Sequence, residues 1–392
     1  MFKKASYLVG LLLITSFMLT GCWDSTEVNN RSIILELAID KNDDYQYDPS
    51  KLIGDQNIYT ISYTIPDFGK LSGNESLAKD VENTVEIQAP TIGSSIDDLE
   101  TKNKNSVSFS HIKAILLGES LLKDKALFRR TLDGLSRDML IARNVPLIAV
   151  NGEARLTTEV ENPQQPILGL YIMDYFNNKE RAASFFKKQL IGNYIREMDD
   201  TGVSTLPVFH LEEVKGEEGI VDISGAALIK DYELVGYLTK EEVRSQLFVE
   251  GKIKNSPVVI PYNDTLLTYN IKREKSKFKF NETTEGLECL IKIEVEGNIS
   301  EYSSVGRAKL VKEETIKGVK NLISKEIIKQ IDIGINKSKE MNVDYLGIGQ
   351  ALYRQKPKLW SQYKDTWLTT SYKDMPISIG VDVTIQSTGL EE

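Results

Sequence analysis

Cys22 stands in the run LTGCWDSTE, residues 19 to 27, at the end of an apolar stretch, and the 392-residue chain has only one other cysteine, Cys289. Two cysteines without a C-x-x-C spacing give neither a disulfide framework nor a zinc ribbon. The alternation around Cys289 places its thiol on the apolar face of a strand, as a small buried hydrophobe. His111, in FSHIKAILLG, has serines nearby but no nucleophile elbow, so a structural hydrogen-bonding role is expected. His210, in VFHLEE, lacks further ligands at metal-binding spacing. The adjacent acids Asp97 and Asp98, and Asp199 and Asp200, read as solvated surface. Gly347 and Gly349 in GIGQALYR miss the third glycine of a dinucleotide fingerprint and read as a helix start. With no P-loop, G-x-S-x-G or H-E-x-x-H in the chain, no nucleophile and base can be paired. The residues predict a protein that is not an enzyme, with no catalytic residues and no metal.

One aromatic pattern remains. Trp360, Tyr363 and Trp367 recur at i, i+3 and i+7 behind Pro357, which suits the first turn of a helix. Such a stripe packs into a core, docks a partner or rests at a membrane interface.

The surroundings of Cys22 supply its chemistry. Lys3 and Lys4 precede the 13-residue apolar run YLVGLLLITSFML, and small residues follow, which is the layout of an export signal. That run is shorter than the roughly 20 residues a membrane-spanning helix needs. Leu19, Thr20, Gly21 and Cys22 resemble the bacterial lipobox, in which a signal peptidase cuts before a cysteine bearing a diacylglyceryl group. The expected modification is that thioether-linked diacylglyceryl, together with an N-acyl chain such as palmitate, and no other cofactor. At about 0.8 kcal/mol per buried methylene, such chains anchor far more firmly than one myristoyl group. Nine residues, Trp23 to Arg31, lead to the first strand-like run and span at most about 30 Å.

The formal charge is −9, and the first 21 residues carry two positive and no negative charges, so the mature body is more acidic still. A net charge of that sign does not build the field that attracts phosphate backbones, which excludes nucleic acid as a partner and disfavours an anionic lipid surface.

The elements alternate from residue 32. Tyr59, Ile61, Tyr63 and Ile65 share one strand face, IKAILLG and VPLIAVNG are apolar strands, and Leu121 to Met139 carry helical spacing. NPQQP, residues 162 to 166, is a linker or a helix start, before helical segments at 167–177 and 180–198. Strands dominate from Leu206, interrupted by a helix over KEEVRSQLFVEG. Ile316, Val319, Ile323, Ile327, Ile331 and Ile335 then form one stripe of a long amphipathic helix, and Ile377 to Ile385 alternate as a final strand. The fold class expected is α+β and multi-domain, with mixed or antiparallel sheets flanked by helices. The divisions expected are a signal peptide at 1–21, a tether at 22–31, an N-terminal α/β domain at 32–205, a strand-rich domain at 206–285 and a C-terminal α+β domain at 286–392.

Several segments together resemble the Ger(x)C lipoproteins, the C subunits of nutrient germinant receptors of endospore-forming bacteria. They are Gly21-Cys22-Trp23-Asp24 with Glu27 and Arg31, FSHIKAILLGESLL with Arg137 and Arg143, ISGAALIKDYELVGYLTKEEV, and DYLGIGQALYRQKPKLW. They run in the family's order over the mature chain, with Ile348 standing where an aromatic is common. The resemblance implies a non-enzymatic subunit, lipid-anchored on the outer face of the spore inner membrane. It would act with integral-membrane A and B subunits in nutrient-triggered germination. Trp23, Asp24 and Trp360 are the candidate partner contacts. A lipid-anchored solute-binding protein of an ABC importer shares the lipobox and the size, but demands two doubly wound lobes around a cleft. A surface hydrolase would need the nucleophile and base that the chain does not offer.

Overall fold

The computed structural model describes residues 31–46, 48–50, 52, 56–67, 82–137, 141–160, 165, 167–178, 185–212, 220–262, 265–284, 286–302 and 313–387. They form an α+β structure with two main sheets. The larger sheet centres on four parallel strands, β2 (Glu36–Lys41), β6 (Ala114–Leu117), β7 (Leu147–Val150) and β8 (Val203–Glu212). Antiparallel strands β3 (Tyr59–Pro66) and β4 (Glu82–Ala89) extend one edge, and β9 (Ile220–Lys230) and β10 (Glu233–Leu238) extend the other. A short parallel pair, β1 (Arg31–Ile33) with β5 (Ser106–Ser108), lies beside it.

The central strands AILL and LIAV are buried at every position, because helices cover both of their faces. On one face lie α1 (Ile92–Lys102), α2 (Glu119–Lys123), α3 (Lys125–Arg137) and α5 (Ile191–Thr201). The other face holds α4 (Leu168–Asn177) and a 3-10 turn at Ala154–Glu159. The helix expected over 180–198 is displaced: residues 185–190 carry no helix, α5 follows them, and 179–184 lie outside the described residues.

The second sheet has the order β11 (Ser256–Tyr262), β12 (Thr265–Thr283), β13 (Gly286–Tyr302), β14 (Ile377–Ser387). Its inner face, with Leu287, Cys289, Ile291, Ile293 and Val295 of β13, is buried under the long helix α7 (Glu313–Met341). The stripe Val319, Ile323, Ile327, Ile331 and Ile335 is buried along α7, while Ile316 is half-buried. The strand β14 runs parallel to β13, since the chain crosses over the sheet through helices before returning. Two short helices, α8 (Ile348–Gln355) and α9 (Pro357–Tyr363), occupy that crossover.

The division expected at 205/206 runs through β8, and the expected middle domain is shared between the two sheets. Strands β8 to β10 complete the first, whereas β11 and β12 join β13 in the second. Alternation shows that a segment is a strand but not which strand it will pair with. Helix α6 (Lys240–Val249) sits between the sheets, opened by a capping box in which Thr239 and Glu242 bond each other's backbone N–H. Its residues Glu242 to Val249 are all buried.

Two glycines of α7 separate propensity from packing. A Cβ at Gly318 meets nothing within 4 Å, but one at Gly334 lies 2.1 Å from Ser245 Oγ of α6. Gly318→Ala is expected to raise stability by about 0.5–1 kcal/mol through helix propensity. Gly334→Ala is expected to lower it by about 1–3 kcal/mol through overpacking. Urea unfolding of both variants is the measurement, and equal shifts would show that α7 is not seated on Ser245.

Candidate functional site

Cys22, the lipobox residues Leu19, Thr20 and Gly21, and Trp23 and Asp24 lie outside the described residues. The other singled-out residues have places. Cys289 is buried on the inner face of β13, where burial, and then the charge of Asp344, push its thiol up to about 12. His111 is exposed on a turn, and His210 Nε2 lies 3.2 Å from the carbonyl of Ser224 on the paired strand β9. Asp97 and Asp98 face solvent on α1. Among the described residues, no group of three His, Cys, Asp or Glu is placed to hold a metal ion. Asp200 accepts from Gln350 Nε2 at 3.0 Å and lies 3.9 Å from Arg354, joining the end of α5 to α8.

The described residues do build polar constellations. Asp40, on β2, accepts from the backbone N–H groups of Ala154 and Arg155 at 2.7 and 2.8 Å and fixes the 3-10 turn. Burial nevertheless raises its carboxyl to about 6. A larger network lies where the first sheet meets α6. Lys187 Nζ is 3.0 Å from both Glu197 Oε1 and Glu250 Oε1. Glu197 Oε2 accepts from Gln189 at 2.8 Å and Ser204 at 2.6 Å, and Gln246 donates to Glu250 at 2.9 Å. Burial alone would lower the Lys187 pKa, but Glu250 and Glu197 outweigh it and raise it. Burial would raise that of Glu250, yet Lys187 and Lys252 hold it below the usual range. A lysine so stabilised in its charged form is a structural cation, since a nucleophilic amine needs the opposite shift.

Bordering this network is an open pocket of about 290 Å³ lined by Tyr175, Phe176, Phe186 and Leu247 together with Asn178, Lys187, Lys188 and Lys252. The Phe186 ring lies tilted at 5.0 and 5.3 Å from those of Tyr175 and Phe176.

The third constellation positions the aromatic stripe. Asp344 is buried, and it accepts from the N–H groups of Ile348 at 3.0 Å and Gly349 at 2.6 Å, and from Trp367 Nε1 at 2.9 Å. It thereby caps α8, which follows Gly347 at φ +74°. Burial raises the Asp344 pKa against the pull of these donors. Gly349 is required, because a Cβ there would sit 2.6 Å from the Trp367 indole nitrogen. Trp367 is buried, and half-buried Trp360 of α9 packs edge-on to it at 5.3 Å. The stripe is therefore divided between core and surface. Sequence reasoning missed Asp344 as the organiser, although an acid just ahead of a glycine-led helix start is a capping signal.

Comparison with known proteins gives two family matches in chain order. The family described as "Spore germination protein N-terminal domain" matches residues 24–211, and "Spore germination B3/ GerAC like, C-terminal" matches residues 224–389. Spore germination protein KC of Bacillus subtilis (strain 168) is 22% identical, over 97% of this chain and 95% of its own. Spore germination protein B3 of the same strain is 25% identical, over 89% of each. The crystal structure of the GerBC protein shares the fold at a TM-score of 0.57 and 20% identity, covering 89% of this chain and 96% of that one.

Lys187→Met removes the buried cation shared by two carboxylates, leaving Glu197 its hydrogen bonds from Gln189 and Ser204 and Glu250 its pair with Lys252, and is expected to cost about 3 kcal/mol at pH 7. The sign with pH follows from Glu250. Its lowered pKa gives stability that is present above its ordinary value of 4.5 and lost as pH falls through the folded value. Without Lys187 that contribution shrinks to what Lys252 still supplies, so the deficit of the variant narrows below about pH 5. Denaturant titrations at about pH 7 and about pH 4 measure it, and a deficit that does not change with pH would contradict the ion-pair account.

Proposed function

The chain belongs to the spore germination B3/GerAC-like family, and from that premise we propose that it is the lipid-anchored C subunit of a nutrient germinant receptor. The observation that carries the proposal is the pair of family matches, which together run from residue 24 to residue 389 in one order. The proposed anchor is a diacylglyceryl and N-acyl lipid on Cys22, and the proposed place is the outer face of the spore inner membrane. Integral-membrane A and B subunits are the proposed partners, and the role is a non-enzymatic one, stabilising the complex or relaying its state. The buried cation Lys187 and the inert thiol Cys289 favour this over catalysis. The importer reading loses support, because a mixed eight-stranded sheet beside a four-stranded one is not a pair of doubly wound lobes.

Cys22→Ala, expressed in place of the native chain, tests the proposal in spores. Expected are loss of lipid labelling, depletion of the chain from the inner membrane and a germination response to that receptor's nutrient lowered at least tenfold. Crosslinking of the native chain in the same membranes should recover integral subunits. Full nutrient response from spores lacking the chain altogether would defeat the receptor role.

A further inference from the structure

From the placement of charge on α8 and α9, we infer that these helices form the face that lies against an anionic lipid surface. This rests on the lipid-anchored reading above. Residues 351–363, ALYRQKPKLWSQY, hold Arg354, Lys356 and Lys358 and no acid, and Lys364 follows beside the exposed acid Asp365, in a chain whose net charge is −9. All four cations are exposed. Lys356 donates to the Phe280 carbonyl at 2.8 Å, and Arg354 is 3.9 Å from Asp200, so even the two that reach protein oxygens do so from the surface. Among them stand Tyr353, 46% exposed, and half-buried Trp360 and Tyr363. Cations interleaved with Tyr and Trp are the composition that settles at a bilayer's headgroup level.

Strand register shows at which end of the first sheet α8 is held. Glu36 pairs with Ala114, Ile115 with Leu147 and Ala149 with Val208, so the four parallel strands start at one end of the sheet. The chain enters that end from Arg31, with only Ile34 and Leu35 between β1 and β2. Asp200, which holds Gln350 of α8, precedes the start of β8 by three residues, at the same end. Across the sheet, strands β2 and β8 are three spacings apart, about 14 Å, and β8 begins further out than β7, since Val208 rather than Val203 lies opposite Ala149. The tether exit and the Asp200 contact that seats α8 therefore share one end of the first sheet, with α9 continuing from α8, and a nine-residue tether of at most about 30 Å keeps that end at the membrane. Anionic lipid attracts the patch and repels the acidic remainder, which fixes orientation as well as proximity.

The test uses the full lipidated chain in vesicles of phosphatidylcholine alone or with phosphatidylglycerol, carrying brominated acyl chains as quenchers. Tyr353→Trp adds a fluorescent reporter at an exposed site, read as the difference from the native chain. In anionic vesicles the added fluorescence should be quenched, and in neutral vesicles quenching should fall at least threefold. Lys356→Gln, Lys358→Gln and Lys364→Gln together should abolish the difference. A chain that floats with the vesicles but whose added reporter is not quenched overturns this orientation alone. A chain that floats with neither vesicle overturns the anchor, and the orientation with it. No quenching in these vesicles, with the triple variant losing crosslinks to integral subunits in spore membranes, would assign the patch to a protein and overturn the inference.

Discussion

The arrangement depends on α6 being accepted into the interior with every polar side chain satisfied. A helix buried from Glu242 to Val249 is normally apolar all round, yet this one carries Arg244, Ser245 and Gln246 in the middle. Between them the three reach β8, β11 and α7. Arg244 bonds the Ser256 hydroxyl, Pro257 O at 2.9 Å and Gln330 Oε1 at 2.8 Å, and lies 5.2 Å over the Phe248 ring. Ser245 donates to Ile331 O at 2.8 Å on α7, and Gln246 meets Thr205 of β8 at 3.3 Å. Burial lowers the Arg244 guanidinium to about 10, and nearby Glu274 and Glu326 oppose that. A half-satisfied version of this network would be worse than an apolar helix, because each stranded group carries its full desolvation cost.

The same helix explains why the two sheets share a core. Val203, Ala226, Leu228 and Leu238 from the first sheet lie in one apolar cluster with Val243, Leu247 and Phe248 of α6 and with the inner face of β11 to β13. Separating the sheets would expose both sides of α6 and strand the Lys187 pairs. Family matches that end at 211 and resume at 224 thus mark sequence units whose strands hydrogen-bond across the gap, since β8 pairs with β9.

How far the sequence could be read follows from what each signal encodes. The stripe from Val319 to Ile335 and the alternation from Leu287 to Val295 are burial patterns, and the structure buries those residues. Partner choice is not a burial pattern. Nothing in ISIGVDVTIQS says that β14 pairs parallel to β13, and nothing in LPVFHLE says that β8 lies beside β7 rather than opening a new domain. The polar organisers were the least legible. Lys187, Glu197 and Glu250 are scattered along the chain as ordinary surface-type residues, and only tertiary structure brings them together. Asp344 was legible in principle through its glycines, but its third donor, the Trp367 indole, comes from 23 residues away.

Net charge illustrates the same limit. A total of −9 is a sum, and it argues against an anionic surface only if the charges are evenly spread. Screening over about 8 Å at physiological ionic strength makes each surface region answer to its own residues rather than to the total. Asp344 caps α8 and holds Trp367, Trp367 supports Trp360, and Lys356 bonds the Phe280 carbonyl, so α8 and α9 are seated on the core. The cations they carry are exposed because the inward positions are already filled by Ile348, Leu352 and the indole. The acidic total and the cationic face are therefore consistent: local packing decides where charge is displayed, and composition decides only its sum.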